Sequence, residues 1–86
     1  MENLNCHTLY HEATKIKTDV LAEMGHAILA ERSKSRLSLE KIASLSGGLI
    51  QMHQLERIEM GQIEPNLHLL IALSLIFGKK LKISFE

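Results

Sequence analysis

The chain has 86 residues, a formal net charge of zero and a single cysteine, with 45% hydrophobic, 23% charged and only 3% aromatic residues. That length makes one domain whose modest core must be built from aliphatic side chains. One cysteine, Cys6, excludes an internal disulfide and a cysteine-pair zinc site and fits a reducing cytoplasm. No apolar run approaches the about 20 residues of a membrane span, and the polar first residues lack the apolar segment of a secretion signal. A zero net charge weighs mildly against nucleic acid as a partner, but the placement of charge counts for more than its sum.

Residues 1–14 show no sustained period, and residues 1–16 are expected to form an arm, partly disordered unless packed on a partner. From Thr18, a plausible N-cap followed by Asp19, the pattern turns helical to about Ser33. Val20, Leu21, Met24, Ile28 and Leu29 make an apolar stripe there. A polar turn over 33–36 leads to a second helix opened by Ser38, with Leu39, Ile42, Ala43 and Leu45 as its apolar positions. Gly47-Gly48 stops it, as a positive φ requires. A third helix is predicted over 50–60, with Leu55 and Ile58 inward and Gly61 at its end. After Pro65, Asn66 caps a fourth helix over 67–77, which Gly78 terminates. The tail Leu81-Lys82-Ile83-Ser84-Phe85 alternates apolar and polar, the signal of a strand. A lone strand must pair, and the symmetric solution is a two-stranded ribbon across a homodimer. The expected division is an arm over 1–16, a helical domain over 17–78 and a strand over 79–86.

Two short helices joined by a glycine turn form a helix-turn-helix, whose second helix fits the DNA major groove. Specific residues strengthen the reading. Leu37-Ser38-Leu39-Glu40-Lys41-Ile42-Ala43 leading to Gly47 resembles the first half of the Cro/lambda-repressor (XRE-type) motif. Leu55-Glu56-Arg57-Ile58-Glu59-Met60-Gly61 resembles its second half. Glu64-Pro65 before a Leu-rich helix, and Ile28-Leu29-Ala30-Glu31-Arg32 upstream, look like further landmarks of that family. The resemblance covers residues 25–78 approximately. It implies an ion pair between Arg32 and Glu59 that ties the first helix to the recognition helix; the alternative is two solvated charges. The chain departs from the family at Leu39, where the family has a Gln that contacts phosphate, and in a turn about two residues longer.

Counting back from Ile58, the exposed positions of the third helix are Gln51, Met52, His53, Gln54 and Arg57. Gln pairs bidentately with adenine and Arg with guanine; His53 can donate to guanine or phosphate, and Met52 either packs on a thymine methyl or fills the core. Lys34, Arg36 and Lys41 surround the first motif helix and can meet phosphates, or simply face solvent. Of the histidines, His7 and His11 stand four apart but lack a third metal ligand. No catalytic set is evident, and no cofactor is expected.

The expected molecule is therefore mainly α: a small bundle of four to five helices with a helix-turn-helix and a C-terminal β-strand pairing across a homodimer. Its expected role is that of a cytoplasmic, sequence-specific regulator of double-stranded DNA, a dimeric repressor rather than an enzyme. The terminal strand also resembles that of antitoxin-like members, which bind a toxin as well as DNA. The alternative is a protein-interaction module that keeps the fold with weak or no DNA binding, favoured by the neutral charge, Leu39 and the altered turn.

Overall fold

The computed structural model describes residues 5–85. Those residues form a mainly helical molecule of four helices: α1 (Cys6–Ser35), α2 (Leu39–Leu45), α3 (Met52–Glu59) and α4 (Leu67–Phe77). Among them, no helix is long and apolar enough to cross a membrane.

The largest departure from the sequence prediction is α1. It begins at Cys6, so most of the expected arm is helix, and only residues 1–4 of it lie outside the described residues. Asn5 provides the N-cap, its Oδ1 accepting the Thr8 N–H at 2.8 Å. Downstream the chain has no glycine before Gly25, and its one proline is Pro65. Nothing therefore interrupts the helix once it is capped. Thr18, expected to start the helix, lies in its interior. Its hydroxyl donates back to the Thr14 carbonyl, as Thr14 does to Tyr10. Both hydroxyls thus find partners inside the helix instead of diverting the backbone into a turn. At the other end Arg36 adopts φ 55°, a left-handed cap in which Leu37 N–H reaches the Arg32 carbonyl at 3.2 Å.

The core draws on every helix. Ile28 of α1, Ile42 of α2, Leu55 and Ile58 of α3, Leu69 and Leu73 of α4, and Ile50 of the α2–α3 turn are all buried. Leu37, Leu39, Ile63, Leu70, Ala72, Ile76 and Phe77 pack round them. Val20, Leu29 and Leu45, which the sequence puts on apolar faces, remain exposed at 44%, 37% and 53%. α4 is apolar nearly all round, yet it buries one side only: Leu67, Ile71 and Leu75 stay exposed.

The α2–α3 connection depends on a serine. Ser46 Oγ accepts the Ile50 N–H at 3.0 Å and donates to the Ala43 carbonyl at 2.7 Å. Between them Gly47 and Gly48 take φ of 64° and 94°. Their positive φ lets the chain reverse, and Ile50, 1% exposed, pins the turn to the core.

The predicted C-terminal strand is not found among the described residues. Residues 79–85 have no regular secondary structure. A strand needs a neighbouring ladder, and no described segment provides one. Instead Leu81, half-buried, lies with Lys79, Lys80 and Lys82 along a groove lined by Ala27, Ile28, Leu70, Leu73 and Phe77.

Candidate nucleic-acid interface

α3 starts later than the sequence predicts, at Met52 rather than residue 50, because Ile50 is drawn into the core and Gln51 becomes the cap residue. Gln54 Oε1 sits 3.5 Å from the Gln51 N–H, a long contact across the first turn. Leu55 and Ile58 are turned inward, which leaves Met52, His53, Glu56 and Arg57 exposed. His53 and Arg57 are one helical turn apart and share an edge. Gln51, His53, Gln54 and Arg57 converge, with Gly48, Leu49 and Ile63, on one shallow depression of about 320 Å³. Met52 does not line it and is 45% exposed. Gln54 is half-buried rather than open.

The outer cations are more scattered. Lys41 is exposed in the first turn of α2, where its N–H binds the Ser38 cap at 3.0 Å. Lys34 and Arg36 stand exposed at the C-terminal end of α1, and Lys34 Nζ lies 3.7 Å from Glu31. None of the three lines the depression. Leu39 is half-buried and packs against the core.

Besides the buried Leu55 and Ile58, two contacts tie the end of α3 to α1. Arg32 Nε meets Glu59 Oε2 at 2.7 Å and its second terminal nitrogen meets Oε1 at 3.0 Å, a bidentate pair. A further N–H of Arg32 donates to the Leu37 carbonyl at 3.1 Å. The side chains are 20% and 6% exposed, so the pair is largely out of water. Hydrogen bonding to Glu59 raises the Arg32 guanidinium above its ordinary value; partial burial opposes the rise and the Glu59 charge adds to it. The second contact is Gly25. A Cβ there would fall 2.5 Å from the carbonyl oxygens of Ile58 and Glu59. Only glycine lets α1 approach the end of α3 so closely.

Sequence reasoning missed Gly25, Ser46 and Glu56. Gly25 had a signal, since an isolated glycine inside a helical pattern marks a close approach. Glu56 was legible as an exposed α3 position, and it introduces an acid beside Arg57. His7 and His11 stack with ring centroids 6.3 Å apart. No group of three or more metal-ligating side chains assembles among the described residues. Compared with protein-family models, curated proteins and solved structures, the chain gives no match.

Proposed function

We propose that the chain is a sequence-specific DNA-binding regulator of the helix-turn-helix kind, acting in the cytoplasm as a dimeric repressor, with α3 in the major groove. One observation carries the reading: α3 is anchored at its C-terminal end while its outward edge, with His53 and Arg57, is left open beside Gln51 and Gln54. Those side chains suit base edges, Arg57 for guanine and the glutamines for adenine. Glu56 can accept from a cytosine amino group. Lys41, Arg36 and Lys34 are the candidates for phosphate, fixing register without reading sequence. In a dimer the two α3 helices would meet half-sites about 34–36 Å apart.

A specific observation favours a second reading, a protein-binding module. Leu45, Leu49 and Met52, around the turn and the start of α3, are 53%, 47% and 45% exposed, and the chain has no net charge. The antitoxin-like form of that reading leaned on a terminal strand that the described tail lacks.

Selection of bound duplexes from a random pool, followed by titration at several salt concentrations, separates the two. DNA recognition predicts an enriched motif and affinity that falls as salt rises. Arg57→Ala should then weaken binding to the selected site by about 1–3 kcal/mol and relax preference at one base pair, with little change on random DNA. No enrichment and no salt-dependent binding would remove the DNA reading and leave the protein module.

A further inference from the structure

We infer that the N-terminal half of α1 is the surface through which two copies of this chain associate, as a parallel, in-register pair of helices. The inference stands apart from DNA binding. Every residue from 6 to 20 is exposed, so this stretch of helix gains little from the body of the molecule. Isolated helices of that size are marginal in water and take their stability from packing.

The stretch carries an exposed apolar stripe, whose last member, Val20, shares a groove with Glu64 and Pro65 of its own chain. Cys6, Leu9, Ala13, Ile16 and Val20 recur at alternating spacings of three and four, the seam pattern of paired helices. Leu9, Ile16 and Val20 are 56%, 57% and 44% exposed. Glu23 occupies the next seam position and ends the stripe, just before α1 docks on α3 at Gly25.

Charge identifies the occupant and its direction. On a helix of 3.6 residues per turn, Glu12 and Asp19 border one edge of the stripe and Lys17 the other. An antiparallel pair brings like edges together and sets Glu12 near Asp19 of the other copy, twice. A parallel pair removes that repulsion: it sets Asp19 opposite Met24 of the other copy and brings Glu12 to the one cation of the facing edge. Glu12 then faces Lys17 of the partner copy, five residues further on, at the positions where paired helices form ion pairs. Lys17 already holds Glu64 of its own chain, and its side chain remains 54% exposed. Its ammonium, with three donors, has room for a second carboxylate. The stripe and its borders are thus complementary to themselves, and the occupant is a second copy.

The test uses the full chain. Sedimentation equilibrium should show a dimer. Ile16→Glu, at an exposed position, should weaken it at least about tenfold while thermal unfolding still reports a folded body. Phe85→Glu, in the tail, should leave the dimer unchanged. Glu12→Lys should weaken association, and Glu12→Lys combined with Lys17→Glu should recover part of the loss. Direction is read from Cys6. In the parallel pair the two Cys6 thiols face each other, so diamide, taking up their two electrons and two protons, should join them as a disulfide. In the antiparallel pair they lie about 25 Å apart along the helices and stay free. A chain monomeric at its highest soluble concentration overturns the inference. So does a dimer that survives Ile16→Glu, or one that yields no Cys6 cross-link.

Discussion

Arg32 and Glu59 show how one side-chain pair sets the geometry of the candidate interface. They are 27 residues apart in the chain, and their contact fixes α3 relative to α1. The Glu59 side chain is 6% exposed, so Arg32→Ala would leave a carboxylate largely out of water with its partner gone. We expect a loss of about 3–5 kcal/mol in stability by urea unfolding. A loss under about 1 kcal/mol would place the pair among ordinary surface charges. Because the Arg32 guanidinium is raised, its contribution is complete below the unfolded value and is lost only as pH climbs past the folded one. That window lies above any working pH, so Arg32 itself adds no pH dependence near neutrality. The effect of Arg32→Ala belongs to the fold; Arg57 is exposed, so under the proposed DNA reading that of Arg57→Ala falls on recognition.

At the scale of elements, the joint between α1 and α3 is set by the absence of a side chain. Gly25→Ala would normally favour a helix by about 1 kcal/mol. Here the new methyl meets backbone oxygens of Ile58 and Glu59 at 2.5 Å, atoms that cannot swing aside. The collision outweighs propensity, and we expect a net loss of about 1–3 kcal/mol. A melting temperature equal to or above that of the parent chain would show that α1 can shift without cost. The same element exposes the limit of reading the sequence by composition. Asn, His and Thr near the N-terminus looked like an irregular arm, yet Asn5 caps a helix and Thr14 and Thr18 bond back to its carbonyls. Alternation over 81–85 looked like a strand, yet a strand is decided by a neighbour rather than by its own pattern.

For the molecule as a whole, stability should be uneven. Amides within the packed body, such as those of Ile42, Leu55 and Leu73, should exchange with solvent only through global opening. Those of residues 9–20 should exchange fast in dilute solution and slow as concentration rises, with a melting temperature that rises in step. Protection of 9–20 that is independent of concentration would mean that the helix is held by its own chain. Much was legible beforehand: α2, α3 and α4 within two residues, their caps at Ser38, Asn66 and Gly78, and the reversal at Gly47-Gly48. These are local matters, settled by hydrogen bonds and dihedral preferences within about four residues, so the chain determines them by itself. The sequence also marked Gln51, His53 and Arg57 as outward, because α3 has a strong two-sided pattern. Tertiary structure decided the rest. It decided for the ion pair that the resemblance implies at Arg32 and Glu59 over two solvated charges, made Gly25 a contact point, turned Ser46 into the peg of a turn, and left the first half of α1 bare. Each of those outcomes depends on which distant segment, or which backbone atom, comes to lie opposite a residue, and no periodicity along the chain records that.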